Sequence, residues 1–259
     1  MLAVERRNKI EQMITENKSV LVVELAKQFD VTSETIRGDL EKLEKQGVLV
    51  RTYGGATLVD VNEPEIEITQ RDTINFAGKQ SIGRQAAVMI KDGETIFLDA
   101  STSALHLARN LKDKRGITVI TNADKIVSEL ASCDHITVIS IGGRLTPRNM
   151  SFVGRVAEQT IRTNYFANKF FFSCRGVTLS RGLMDSSEGE AEVKKAMMEC
   201  SESAIFLCDH KKLGRLGVPV ISSIDHIDCM ITDVMLDEEW SRALEEKDIK
   251  LLTVNKEEE

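Results

Sequence analysis

The sequence predicts two domains of different class: an α+β winged helix-turn-helix at the amino end, followed by an α/β domain on a parallel sheet. Three observations predict this. Val20–Gly55 reads VLVVELAKQFDVTSETIRGDLEKLEKQGVLVRTYGG. Two short apolar-patterned helices flank a tight turn, and a glycine, a strand, a basic residue and a Gly-Gly turn follow, the order of a winged helix-turn-helix. Val59–Thr73 is acidic, aperiodic and contains Pro64, so it reads as a linker. From about Asn75, apolar strands alternate with helices, which argues for a parallel sheet covered on both faces. The expected units are 1–58, a linker over 59–74, and 75–259.

The first helix is expected over roughly Val4 to Glu16, because Ile10, Met13 and Ile14 share one face. Asn17 and Lys18 end it. A short strand, Val20–Leu21, leads into a helix over Val22–Gln28 with Leu25, Ala26 and Phe29 inward. Asp30-Val31 is the turn. Thr32 suits the N-cap, since its hydroxyl can accept from free amides of the first turn. The third helix runs Ser33–Gln46, burying Ile36, Leu40 and Leu43, and Gly47 sits where a left-handed C-cap is expected. Val48–Arg51 and Ala56–Leu58 form wing strands joined through Tyr53-Gly54-Gly55.

With that apolar face buried, Ser33, Glu34, Arg37, Gly38 and Glu41 face outward, and Thr35 flanks them. These residues suit entry into a major groove of double-stranded DNA. Arg37 can donate to guanine or phosphate, and Ser33 and Thr35 to phosphates or base edges. Thr32 opens the helix beside them, and Arg51, Thr52 and Tyr53 place the wing near backbone phosphates. Taken singly, each piece is ordinary: a capped helix ending in glycine, a surface arginine. The complete order is specific to DNA binding.

In the second domain, Thr95–Asp99, Ile117–Thr121, Ile136–Ile141, Lys169–Cys174, Ala204–Asp209, Asp228–Thr232 and Lys250–Val254 read as strands. Ser81–Ile90, Leu105–Leu111, Ala123–Ser132, Ser151–Arg162 and Glu188–Cys200 read as helices. Ligands in such sheets bind beyond the carboxyl ends of the strands, and the polar motifs lie there. Asp99 is followed by Ala100-Ser101-Thr102-Ser103 and a helix, a hydroxyl and amide site for an anion. Asn122 follows Thr121. Gly142-Gly143-Arg144 follow Ile141 and offer close backbone approach and a donor fork. His210, Lys211 and Lys212 follow Asp209. One such motif is most simply a cap or a turn; their convergence argues for a phosphate-bearing ligand. Glu190 and Asp99 are candidates for sugar hydroxyls, and Arg175, just past a strand, for the pocket wall.

VTSETIRGDLEKLEKQGVLVRTYGGA resembles the N-terminal signature of the DeoR family of bacterial transcriptional regulators. The resemblance continues through IFLDASTSALHL, VITN, IGGRL, SFVG, EAEVKKAM and DHKKLG, in order and over nearly the full length. It implies a DNA-binding repressor or activator whose α/β sensor domain resembles ribose-phosphate isomerase and binds a phosphorylated sugar that releases the operator. Lys212 matches the family's lysine and is thereby implicated in phosphate binding. There are departures. Gly38 replaces a second arginine, removing a cation and costing about 1 kcal/mol in helix propensity relative to alanine. Tyr53 stands where histidine is usual, Ser101-Thr102-Ser103 where Gly-Thr-Thr is usual, and Lys211 where serine is usual.

Composition narrows the alternatives. The 259 residues suffice for one small and one medium domain. No apolar run approaches the roughly 18–20 residues that span a bilayer, and no secretory pattern opens the chain, so a cytoplasmic protein without membrane partners is expected, nucleoid-associated when on its operator. The five cysteines and four histidines show no ligand spacing, which implies reduced thiols, no metal and no cofactor. Net charge is −7, unusual for a DNA binder. Through Leu58, nine Lys and Arg meet nine Asp and Glu. A neutral winged helix binds weakly alone, which predicts a homo-oligomer, dimer or tetramer, that doubles the contacts. The competing reading is a sugar-phosphate isomerase or deaminase-like enzyme, with Asp99, Glu188, Glu190 or Asp209 as general base. An isomerase has no use for the helix-turn-helix, so no catalytic residue is assigned.

Overall fold

A computed structural model describes residues 1–17, 19–45, 48–52, 54–58 and 66–254. The amino unit comprises α1 (Ala3–Asn17), β1 (Ser19–Leu21), α2 (Val22–Phe29), α3 (Ser33–Lys45), β2 (Leu49–Thr52) and β3 (Gly55–Leu58). Its strands form an antiparallel sheet in the order β1-β3-β2. Ile10, Ile14, Leu25, Ile36, Leu40, Leu43 and Leu49 form its core, all but fully buried. This is the inward face that the helical spacing predicts. Asp39 on α3 is buried and takes both Arg6 and Arg7 of α1. Two of the unit's cations are therefore spent holding α1 to α3. The Thr32 hydroxyl caps α3, accepting from the Thr35 amide at 3.2 Å. Gly47, Tyr53 and residues 59–65 lie outside the described residues.

The second half of the expected linker is not aperiodic. Ile68–Thr73 is a short helix, α4, with Ile68 buried. Asp72 accepts from Arg109 at 2.9 Å and lies 3.1 Å from the His106 ring. A helix of six residues is too short to display a 3.6-residue period, and its anchors lie more than thirty residues downstream. The next helix, α5 (Phe76–Val88), begins five residues before the expected Ser81.

The larger unit continues with β4 (Thr95–Leu98), α6 (Thr102–Arg109), β5 (Thr118–Thr121), α7 (Asp124–Leu130), β6 (Thr137–Ser140), β7 (Arg144–Thr146), β8 (Ser151–Val153), α8 (Arg155–Asn164) and β9 (Lys169–Phe172). Then come β10 (Gly176–Thr178), β11 (Gly182–Met184), α9 (Glu188–Glu199), β12 (Ala204–Cys208), β13 (Val220–Ser222), β14 (Cys229–Thr232), α10 (Glu238–Glu245) and β15 (Lys250–Thr253). Seven strands form a parallel sheet in the order β15-β14-β12-β9-β4-β5-β6. These are the seven strands expected from the sequence. Ser151–Arg162 is not one helix: Ser151–Val153 pairs with β7 as an antiparallel hairpin, and α8 starts after Gly154 at φ 93°. Three residues of strand show too little alternation to separate from the helix that follows. A small antiparallel sheet, β10-β11-β13, was not anticipated.

Alternate residues of the central strands feed opposite faces. Phe97, Phe170, Phe172 and Phe206 pack with α8, α9 and α10 on one side. Ile96, Leu98, Phe171, Ile205 and Leu207 pack with α5, α6 and α7 on the other. Gly83 lets α5 close onto α6, because a Cβ there would lie 2.7 Å from the His106 backbone. From β4 the chain winds first to β5 and β6, then returns to β9 and continues to β12, β14 and β15. The direction reverses between β4 and β9, which opens a crevice at their carboxyl ends.

Candidate effector pocket and DNA-binding face

A pocket fills that crevice. Its walls are the turn into α6 (Ala100–Ser103), the end of β9 (Ser173, Cys174, Arg175), Asp185 after β11, Glu190 and Lys194 of α9, and Lys212 beyond β12. Arg71 of α4 and Asn149 of the β7–β8 hairpin close it. Of the expected effector residues, Ser101, Thr102, Ser103, Arg175, Glu190 and Lys212 therefore meet here. The enclosed space is only about 20 Å³, near one water, and Lys212 and Arg71 in its wall are both only half-buried.

Other expected residues sit elsewhere. Asp99 is fully buried beneath the pocket rather than lining it. It accepts from the Ser101 hydroxyl at 2.6 Å and the Ser173 amide at 3.2 Å, and Lys194 lies 3.2 Å away. Its lone pairs tie the β4 turn to β9. Asn122 donates to Phe152 O and braces the β7–β8 hairpin. Gly142, Gly143 and Arg144 follow β6, two strands from the switch point; Arg144 is exposed on β7, and none of the three lines the pocket. Strand-end motifs read in one dimension do not reveal sheet order, and sheet order decides which ends converge.

The floor is ionic. Lys194 contacts Asp185 and Asp99. Burial alone would lower its pKa, but Asp185, Asp99 and Glu190 raise it well above the ordinary lysine value. Burial pushes the Asp99 and Glu190 carboxyls up, against the pull of Lys194. Glu190 accepts from Asn149 at 2.9 Å, from Ser151 and from Thr146 at 3.4 Å. Burial pushes the Cys174 thiol up to about 12, which leaves it neutral and unreactive. Sequence reading missed Arg71, Asn149, Ser173, Asp185 and Lys194. For Lys194 a signal existed: it lies four residues after Glu190, on the face of α9 that carries Ala191, Val193 and Met197 into the core. Chemically, the lining combines Arg71, Arg175, Lys194 and Lys212, a helix N-terminus with three hydroxyl residues, and the acceptors Asp185 and Glu190. Cations and amides suit a phosphate; carboxylates suit hydroxyl groups. A larger cleft of 460 Å³ lies around Ser201–Ala204 and Asp228, at the amino ends of the strands, the wrong edge for a ligand in such a sheet.

On the amino unit, Thr32, Ser33, Glu34, Arg37 and Gly38 are exposed and Thr35 is half-buried. Thr32 and Thr35 hydroxyls bond each other at 2.9 Å. Arg37 pairs loosely with Glu34 at 3.7 Å. Arg51 is committed: its Nε donates to Glu44 at 2.9 Å, and its two terminal nitrogens donate to Glu239 of α10 at 2.9 and 2.6 Å. Among the described residues no group of three or more His, Cys, Asp or Glu could hold a metal, the five cysteines are free thiols, and no helix is long and apolar enough to cross a membrane.

Residues 6–62 match the DeoR-like helix-turn-helix domain, and residues 74–234 match the DeoR C-terminal sensor domain. The chain is 41% identical over 254 residues to the uncharacterized HTH-type transcriptional regulator YulB of Bacillus subtilis, covering 98% of each chain. It is 34% identical to the HTH-type transcriptional regulator GolR of Listeria innocua, over 90% of this chain and 91% of that one. It is also 34% identical to the transcriptional repressor AccR of Agrobacterium fabrum, over 88% and 89%. Ribose 5-phosphate isomerase A from Neisseria gonorrhoeae superposes on 54% of each chain at a TM-score of 0.39 and 16% identity, too distant a likeness to bear on function.

Proposed function

The chain belongs to the DeoR family of DNA-binding transcriptional regulators, and we propose that it represses a carbohydrate-utilisation operon and leaves its operator when a phosphorylated sugar binds at the switch point between β4 and β9. It is a regulator and not an enzyme, as its two domains and its relatives' names indicate. One observation carries the sugar-phosphate reading: Ser101–Ser103, Arg175 and Lys212 converge with Glu190 on one pocket. Cations and amides for a phosphate stand beside acceptors for hydroxyls. The recognition face is Thr32–Gly38, with Arg37 as its donor to bases. Two or four copies bind together, because one neutral winged helix offers few phosphate contacts. The protein works in the cytoplasm, on the nucleoid when bound. A ligand shifts DNA binding only if it prefers one arrangement of the winged helices. Selection of duplexes from a random pool identifies the operator, and a sugar-phosphate screen for release identifies the effector. Lys212→Ala is expected to bind the operator normally and to ignore the effector. Release at the wild-type concentration would remove the phosphate from this pocket.

A further inference from the structure

The wing and the exposed face of the recognition helix are not turned away from the rest of the molecule. They face α10 of the same chain. Arg51 of β2 spends both terminal nitrogens on Glu239. Glu34, Arg37, Gly38 and Glu41 of α3 line one wall of a 540 Å³ cleft, and Glu238, Glu239, Arg242 and Glu246 line the other. Over Asp237–Glu246, α10 and its flanks carry five acids against the single Arg242. The wing backbone also rests on the turn after β12. Gly214 is at φ 72°, and a Cβ there would lie 2.3 Å from Arg51 O and 2.5 Å from Thr52 Cα. That turn is two residues beyond Lys212.

We propose that this docking surface, the acidic α10 together with the Gly214 turn, is an intramolecular seat for the winged helix that excludes DNA. The occupant is fixed by the ion pair and by the backbone contact at Gly214. Two arguments carry the exclusion. A major groove about 12 Å wide and 8.5 Å deep must enclose the recognition helix, and α10 forms the opposite wall of the cleft, about 540 Å³, in front of that helix. A guanidinium whose terminal fork is held by one carboxylate and whose Nε is held by another cannot offer that same fork to a phosphate, and a row of acids repels the backbone that would displace it. The acid excess of the sensor, a hindrance for a simple DNA binder, thus acts as a competitor for the wing. The proposal rests on the DNA-binding assignment and not on the identity of the effector.

The test uses the full chain and a duplex enriched by the wild-type protein from a random pool. Glu239→Gln keeps the side chain's shape and removes the charge. It is expected to bind the duplex about two- to fivefold more tightly, the upper part of the range for a partly exposed ion pair, and E238Q/E239Q/E246Q more tightly still. Asp113→Asn removes one exposed acid elsewhere and should leave affinity unchanged. Trp240, the sole tryptophan, is buried beside Glu239 and lines a second, smaller pocket with Val22, Leu40 and Arg51. Its emission should move to the red when wild-type protein meets the duplex, and should already be shifted in E239Q without DNA. Unchanged affinity and emission in E239Q would overturn the seat while leaving DNA binding intact, and an equal gain in Asp113→Asn would reduce the effect to net charge. Failure of the wild-type chain to enrich any duplex would overturn both readings.

Discussion

Lys194 bridges Asp185 and Asp99 in the floor of the pocket, with its ammonium 3.2 Å from Asp99 and only 6% of the residue exposed. One cation thus neutralises part of a cluster of three buried acids, Asp99, Asp185 and Glu190, that would otherwise repel one another. The bridge joins the ends of β4 and β11 to α9, the elements that shape the crevice.

Lys194→Met should therefore be among the most damaging changes in the sensor. It removes the partner of a fully buried carboxylate. Breaking a buried pair in this way costs about 3–5 kcal/mol. Denaturant unfolding followed by far-UV circular dichroism would read this as a lower midpoint. A variant within about 1 kcal/mol of wild type would mean that the carboxylates take up protons without strain.

Arg37→Ala should do the opposite: spare the fold and weaken DNA binding. It pairs with Glu34 at 3.7 Å, and both side chains are more than half exposed, so little stability is lost. Loss of a bidentate base contact costs about 1–3 kcal/mol, or roughly five- to 150-fold in affinity. A gel-shift titration on the selected operator measures the change. Unchanged affinity with an unchanged melting curve would place base reading elsewhere on α3.

The winged helix and the seven-stranded sheet were legible because their signals are local. Ile36, Leu40 and Leu43 repeat at helical spacing, and each central strand is a short apolar run bounded by polar turns. What was not legible depends on contacts between distant segments. Arg71 reads as part of an acidic connector until Asp72 is seen clasping Arg109. Gly142–Arg144 look like a phosphate loop until the sheet order places β6 at the edge. Asp99 looks like a ligand until its oxygens are found occupied by Ser101, Ser173 and Lys194. Arg51 reads as a phosphate contact, and only the fold shows it turned toward Glu239. Periodicity reports the environment of an element; it does not report its neighbours.

Effector binding should weaken as pH rises past about 8. Lys79 is buried and held at about 8, chiefly by loss of water, with Lys212 lowering it further and Asp209 opposing. Its ammonium donates to Arg71 O, behind the pocket wall. A phosphate dianion beside Lys212 and Arg71 favours the charged lysine and so raises its pKa. The bound state then holds more protons than the free state above pH 8, and linkage makes affinity fall with pH in that window, by at most tenfold per unit. Below about 8 the lysine is charged in both states and contributes no slope. The phosphate itself is already a dianion above pH 7, since its second pKa is near 6. Calorimetric titrations from pH 7 to 9.5 would detect the fall, and Lys79→Met should abolish it. An identical slope in that variant would exclude Lys79 as its source.

Arg71 provides the most direct link between ligand and linker. It stands on α4, whose Ile68 amide bonds Arg148 O and whose Asp72 grips α6. Its guanidinium lines the pocket and donates to Asn149 at 2.7 Å, which in turn donates to Glu190. A phosphate here would draw on the same guanidinium and shift α4, and α4 lies at the end of the segment leading from the wing. Charge-assisted hydrogen bonds contribute about 1.5–3 kcal/mol, so Arg71→Ala should raise the effector concentration needed for release by roughly 10- to 150-fold. Operator affinity without effector should stay within twofold, because Arg71 is remote from α3. Arg71→Lys keeps the charge but not the planar fork and should recover only part of the loss. Fluorescence anisotropy of the operator complex, titrated with the effector, reports all three variants. If Arg71→Ala released DNA at the wild-type concentration, the signal would have to pass from Lys212 to the wing through the Gly214 turn instead.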